Sequence, residues 1–309
     1  MNVRPVVPSR LRGAKVHGSS RAPRSVVGGY IALTKPRIIE LLLITTVPTM
    51  VLADGGWPGL GLVLITLVGG SLAAGGANAI NMYIDRDIDA LMERTKTRPL
   101  VTGLVAPRNA LVFAVSLEVV AFAVLWTGAN LLAAVLAVSA TLFYVFIYSL
   151  WLKRNSTQNI VIGGAAGAVP VLVGWAAVTD SLGWTPWLLF LLIFLWTPPH
   201  FWALAIRHTD DYRAAGVPML PAVASPERVS SSMIRYTVAL VVCSLVVTPV
   251  AGMGWVYTVA AVVLGAVFLW GTIALGRTPS PSASMRLFSY SISYISVLFL
   301  ALTVDVFVR

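Results

Sequence analysis

The sequence predicts an all-α fold, a polytopic membrane bundle of about nine transmembrane helices. Three observations carry that prediction: the composition, the spacing of apolar runs, and the placement of charge. Of 309 residues, 58% are hydrophobic and only 11% charged, against about 25% charged in a soluble domain. The mean hydropathy is +0.85. So few charges cannot solvate the surface of a water-soluble protein of this length, whereas apolar runs joined by short polar loops suit a bundle of membrane helices.

Nine such runs lie at approximately 38–54, 60–84, 109–127, 130–150, 159–178, 186–206, 235–252, 255–275 and 287–307. Each is near the ~20 residues that span the hydrocarbon core. The 60–84 run is the longest and ends in polar residues, so its helix is expected to project past the bilayer.

Charge sets the orientation. The net charge is +10, and with nine spans 21 of the 22 Lys and Arg residues fall on one side; only Arg309 falls on the other. The positive-inside rule then places the N-terminus in the cytoplasm and the C-terminus outside. Such basicity in a soluble chain suggests nucleic acid; here it reads as topology and contact with membrane lipids, and no nucleic-acid partner is expected. Residues 1–33 are basic and acid-free, interrupted by Pro5, Pro8 and Pro23, and carry no apolar segment with a cleavage site. They are expected to be a disordered cytoplasmic tail preceding one transmembrane domain over 34–309. A bacterial plasma membrane fits better than an organellar one. The single cysteine, Cys243, lies in an apolar run and excludes a disulfide framework within the chain.

Two loops on the basic side are long, 85–108 and 207–234, and they recur four spans apart, hinting at two four-helix halves plus a ninth helix. The first carries the chemistry. Asn81, Asp85 and Asp89 are spaced i, i+4, i+8, which puts three oxygen-bearing side chains on one helix face. Asp87 points the other way. Such oxygens repel one another unless a hard cation such as Mg²⁺ bridges them to phosphate. Arg94, Lys96 and Arg98 follow at once and supply groups that bind phosphate oxygens. Carboxylates for a metal beside cations for phosphate suit a diphosphate leaving group.

The second loop holds Asp210 and Asp211, read either as a second metal site or as a turn at the loop start. Lys153 and Arg154 open the short loop after the fourth span, with Tyr144 and Tyr148 on the preceding helix face; a substrate role and an interfacial belt both fit. His200 follows Pro198 and Pro199 and stands as a haem ligand, a base or a packing residue. Glu118 lies mid-span, costly in hydrocarbon without a partner. Glu40 is near enough to the polar end of the first span to reach the same region. The Gly163, Gly164, Gly167 run suits close helix packing.

The motif Asn81-x3-Asp85-x3-Asp89 with Arg94-Thr95-x2-Arg98-Pro99-Leu100 resembles the first aspartate-rich motif of the intramembrane aromatic prenyltransferase superfamily. Pro199-His200-Phe201 and Asp211-Tyr212-x3-Gly216-x-Pro218-x-Leu220-Pro221 resemble its haem-farnesylating branch. The likeness runs from about Thr34 onward. Two positions depart from the wider superfamily: Met82 stands where many members have Asp, and Ala215 follows Asp211 where many complete a second Asp-x3-Asp. The resemblance implies transfer of a farnesyl group from farnesyl diphosphate to a vinyl group of haem b, with haem as substrate. It implies Mg²⁺ on Asn81, Asp85 and Asp89, a second ion on Asp211 with Asp210, and diphosphate contacts from Arg94, Lys96, Arg98, Lys153 and Arg154. His200 would contact haem, and a downstream haem-modifying enzyme would be a partner. Rival readings are prenylation of a quinone or chlorophyll-type acceptor, a carrier using Glu118 and Asp305, and a non-catalytic partner in oxidase assembly.

Overall fold

The computed structural model describes Pro23 and residues 25–309. The basic tail expected over 1–33 lies mostly outside these residues, and its last stretch falls in a helix, α1 (Val26–Thr34), capped by the Ser25 hydroxyl. Lys35 then takes a left-handed turn (φ 53°) into α2 (Pro36–Asp54), whose first position is a proline. Proline is suited to that position because its missing N–H would have no helical partner there.

The chain continues through α3 (Leu60–Ile84), the short α4 (Arg86–Leu91), α5 (Pro107–Gly128) and α6 (Leu131–Leu142). The α6 helix runs on as a π-helix over Phe143–Leu152 and ends in a single turn, α7 (Lys153–Asn155). Then come α8 (Asn159–Thr179), α9 (Trp184–Arg207), the loop helices α10 (Thr209–Ala214) and α11 (Leu220–Val223), α12 (Pro226–Val250), α13 (Trp255–Arg277) and α14 (Pro281–Val308). Among the described residues nine helical spans are long and apolar enough to cross a membrane, in agreement with the nine expected. The structure moves two starts. The seventh span begins at Pro226 rather than 235, and the ninth at Pro281 rather than 287. In both, a serine caps the first turn (Ser225 to the Arg228 N–H, Ser280 to the Ala283 N–H) and a proline takes the first helical position. These helices therefore extend beyond the apolar stretch into the polar interface.

Successive spans pack on one another, and α14 closes the ring by packing on α2 as well as on α9 and α13. Small residues allow the close approaches: a Cβ on Gly163 would sit 2.3 Å from the Tyr148 ring, and one on Gly164 2.9 Å from Thr197. Gly167, expected to share that role, faces open space. Val115, Val119, Phe146, Leu150, Val259 and Val263 are exposed, an arrangement that water would penalise and lipid accommodates. Trp57, Trp184 and Trp255 are exposed at the ends where α3, α9 and α13 begin, as an aromatic belt requires.

The carboxylates that suggested a carrier have structural neighbours. Glu118 accepts from the Thr141 hydroxyl at 3.1 Å and fits against Gly76, tying α5 to α6 and α3. Buried Asp305 accepts from the backbone N–H groups of Gly254 (2.5 Å) and Tyr257 (3.0 Å), capping α13 from α14.

Candidate active site

The α3 helix stops at Ile84, and Asp85 forms the joint with α4 at φ −86°, ψ 5°. The i to i+4 bonding nevertheless crosses the joint, from the Asp85 N–H to Asn81 O and from the Asp89 N–H to Asp85 O. Asn81, Asp85 and Asp89 therefore keep the common face expected of them, and all three are buried.

Each of these side chains meets one cation. The Lys35 ammonium donates to Asn81 Oδ1 at 2.8 Å. Lys153 pairs with Asp85 Oδ2. Arg98 pairs with Asp89 Oδ2 at 2.5 Å. The three cations come from the turn before α2, the start of α7 and the loop after α4, so three separate parts of the chain converge here. Asn81 Nδ2 donates to Asp85 Oδ2 (2.8 Å) and to Ser149 Oγ (2.9 Å), and Ser149 Oγ in turn donates to the Tyr144 carbonyl at 3.0 Å. Both Ser149 and Tyr144 lie in the π-helix, a local widening that recurs at functional sites. The same segment stacks Tyr144 on Tyr148 with centroids 5.2 Å apart. Asp85 Oδ1 is buried without a partner among the described residues.

Lys35 and Ser149 were not singled out from the sequence. Lys35 stands beside Pro36, but only the fold brings it to Asn81. Burial, and then the positive charges of Arg98 and Lys153, hold the Lys35 ammonium well below the usual lysine range despite Asp85 and Asp89.

The other expected residues divide. Asp211 accepts from the backbone N–H groups of Glu93 and Arg94, both at 3.4 Å, and so joins the two long loops. His208 Nδ1 lies 3.9 Å from the same carboxylate; burial and then Arg94 push this imidazole below its ordinary range, against the pull of Asp211. Arg94 lies beside buried Tyr212, whose hydroxyl burial pushes upward, and the Arg94 Nε is buried without a partner. Asp210 turns outward, fully exposed, 3.6 Å from Arg213. Lys96 also stays at the surface, paired with Glu93 at 2.5 Å. Arg154 holds exposed Asp87 through two 2.7 Å bonds and the Ile84 carbonyl through one of 3.1 Å, so it fastens the joint from outside. Glu40 is exposed. His200 lies between Trp196 (4.1 Å) and Phe288 (4.6 Å), with Nδ1 2.6 Å from Ser291 Oγ.

Among the described residues no three His, Cys, Asp or Glu side chains converge as a metal cage. The pole offers two carboxylates and an amide instead, with one carboxylate oxygen unused. Hard oxygen donors with a free buried lone pair fit Mg²⁺ bound jointly with phosphate oxygens, an ion that rarely relies on an all-protein cage.

Comparison with known proteins identifies the family and the fold. Residues 42–302 match the UbiA prenyltransferase family. A relative from Paenarthrobacter aurescens (strain TC1), named protoheme IX farnesyltransferase, is 56% identical over 284 residues, covering 90% of this chain and 89% of that one. Among solved structures, a digeranylgeranylglyceryl phosphate synthase superposes with a TM-score of 0.75 at 17% identity, covering 91% of this chain and 98% of that one. A UbiA homologue from Archaeoglobus fulgidus, bound to DMAPP and Mg²⁺, superposes with a TM-score of 0.63 at 18% identity, covering 87% and 100%. Both structures share the fold.

Proposed function

The chain belongs to the UbiA prenyltransferase family, and from that premise we propose that it transfers the farnesyl group of farnesyl diphosphate to a vinyl group of haem b. The observation that carries the reading is the pairing of Asn81, Asp85 and Asp89 with Lys35, Lys153 and Arg98 at one end of a membrane bundle. The acceptor follows from relatives of this similarity being named protoheme IX farnesyltransferase.

The three cations hold the oxygens in the ligand-free protein. An arriving diphosphate offers them stronger acceptors, and Lys35, Lys153 and Arg98 turn to its oxygens. That releases Asn81, Asp85 and Asp89 as the residues that would hold Mg²⁺, with Asp85 Oδ1 already free. The bound ion adds Lewis-acid stabilisation of the leaving diphosphate. Arg94, beside Tyr212, is placed to take up charge as the leaving group departs. Asp211 keeps the loop carrying Arg94 and Arg98 in position. Its place near Glu93 and Arg94 also leaves it available to a second ion, whereas Asp210 faces solvent.

The C1–O bond breaks, and the electron pair leaves with the diphosphate. The apolar surroundings keep bulk water from the allylic cation, so the haem vinyl carbon reaches C1 first. Water then adds to the side chain and loses a proton, giving the hydroxyethylfarnesyl group of haem O. Haem is consumed as substrate, and an enzyme that modifies haem further would take the product. The basic loops at the diphosphate end support, by the positive-inside rule, a cytoplasmic position for that end and for the N-terminus in a bacterial plasma membrane, with Arg309 outside.

The test is direct. Purified protein is given haem b, farnesyl diphosphate and Mg²⁺, and the pigment is analysed by mass. Haem carrying a hydroxyethylfarnesyl group, lost with EDTA and in Asp85→Ala, supports the reading. Unmodified haem with pyrophosphate release to a phenolic acceptor would move the chain to another acceptor class.

A further inference from the structure

A second groove opens at the same end of the bundle, outside the site described above. It has a volume of about 360 Å³ and is walled by Leu195 and Trp202 of α9, Leu220 of α11, and Ser232, Tyr236 and Ala239 of α12. Arg228 and Arg235 also line it. They are seven residues apart on one helix, so they share a face and are separated by about 10 Å along its axis. Neither is in an ion pair among the described residues. Among the described residues the Arg235 guanidinium hydrogen-bonds only within its own helix, to the Ser231 carbonyl (3.3 Å) and the Ser232 hydroxyl (3.2 Å).

Tyr236 makes the groove lining partly aromatic. Trp202 meets Tyr236 edge-on with centroids 5.7 Å apart. Trp202 is 1% exposed, yet its Nε1 has no partner.

Two unpaired guanidinium groups over an aromatic and aliphatic wall describe a flat apolar ligand with two carboxylates on one edge. We propose that this groove docks the haem acceptor, with Arg228 and Arg235 each holding one propionate and Tyr236 packing on the macrocycle. The assignment rests on the haem-farnesylating activity proposed above. Two guanidinium groups about 10 Å apart along one helix suit two separated carboxylates on one ligand edge. The groove is also joined to the diphosphate pole by one segment of chain. Asp211 ties that segment to the Glu93–Arg94 turn, Ala215, Gly216 and Val217 wall a cavity with Asp87 and Arg154, and Leu220 walls the groove.

The test uses the full chain in nanodiscs, with Arg228→Gln and Arg235→Gln alone and together. Haem b binding is followed by absorbance, and Mn²⁺ with inorganic pyrophosphate by electron paramagnetic resonance. The double variant is expected to bind haem b at least about tenfold more weakly and to raise KM for haem. Its kcat at saturating haem, its KM for farnesyl diphosphate and its Mn²⁺–pyrophosphate binding should match the parent. Haem b dimethyl ester, with both propionates capped, should bind parent and double variant alike. Unchanged haem b affinity in the double variant would overturn the docking site alone. So would a defect confined to nanodiscs containing phosphatidylglycerol, which would identify a lipid site. A parent protein that makes no farnesylated haem would overturn the activity and the docking site together.

Discussion

Lys153 pairs with one oxygen of the buried Asp85 carboxylate, while the other oxygen, Oδ1, has no partner among the described residues. The carboxylate is thus half neutralised and half waiting. Replacing Lys153 by Met leaves a buried charge uncompensated, and loss of one partner from such a pair costs about 3–5 kcal/mol. The Lys153→Met protein is expected to unfold at a clearly lower temperature. Adding Asp85→Asn removes the stranded charge and should recover most of that stability. Activity should not recover, because Asp85→Asn by itself is expected to lower kcat by about 10²-fold or more. Thermal unfolding and farnesyl transfer on the three variants check both halves; activity restored in the double variant would show that the carboxylate is structural.

Lys35 predicts two pH effects of opposite sign. Its ammonium is held below the usual lysine value of 10.5, first by burial and then by Arg98 and Lys153. The folded ligand-free protein therefore binds this proton more weakly than the unfolded chain does. Raising the pH through the window between the lowered value and 10.5 should make the ligand-free protein more stable as far as Lys35 is concerned. Diphosphate binding needs the charged form, so affinity for farnesyl diphosphate should fall over the same window. Lys35→Met should abolish this limb and weaken diphosphate binding by roughly tenfold, and Lys35→Arg should carry the affinity to higher pH. Calorimetric titration with a non-hydrolysable farnesyl diphosphate analogue across pH reads all three; a limb that persists in Lys35→Met would assign it elsewhere.

These two residues mark where the sequence is legible. Asn81, Asp85 and Asp89 could be found because helix periodicity is local: four residues along the chain fix a face. Lys35 and Ser149 reach Asn81 from 46 and 68 residues away, and no local pattern records that meeting. The π-helix was hidden because an apolar run of ten residues looks the same in a 3.6-residue turn and a wider one. The start of α12 was misplaced because Arg228, Ser230, Ser231, Ser232 and Arg235 depress the hydropathy there, although Ser225-Pro226 carried the cap signal. Asp210 and Asp211 are adjacent in sequence, yet one faces solvent and the other ties two loops together.

Arg154 and Asp87 offer a contrasting pair on the outer side of the same joint. The hydrogen bond from Arg154 is the main reason the Asp87 carboxyl is held down at about 2. Its contribution to stability is present above the unfolded value of 3.8 and is lost only as pH falls through about 2. Asp87 is 62% exposed, so the contribution is small. Asp87→Asn is expected to keep farnesyl transfer within about twofold of the parent and to shift thermal unfolding only slightly. The comparison with Asp85→Asn, two residues earlier, separates the diphosphate face of the joint from its solvent face. A loss on the scale of Asp85→Asn would place Asp87 in the diphosphate site.

Asp305 tests whether a buried carboxylate far from that pole serves structure. It is 1% exposed and accepts from the N–H groups of Gly254 and Tyr257 at the start of α13. Those donors have no intrahelical partner, as at any helix start, and the helix dipole favours a negative charge beside them. The carboxylate is therefore satisfied by the start of α13, with no need of a moving ion. Asp305→Ala leaves two buried donors unmet and is expected to cost about 2–4 kcal/mol, read as a lower unfolding temperature in detergent. Below that temperature, kcat and KM should match the parent. Asp305→Asn keeps an acceptor oxygen and should lose less. If Asp305→Asn instead abolished activity in a protein as stable as the parent, the charge itself would be functional, and the carrier reading would gain the evidence it lacks.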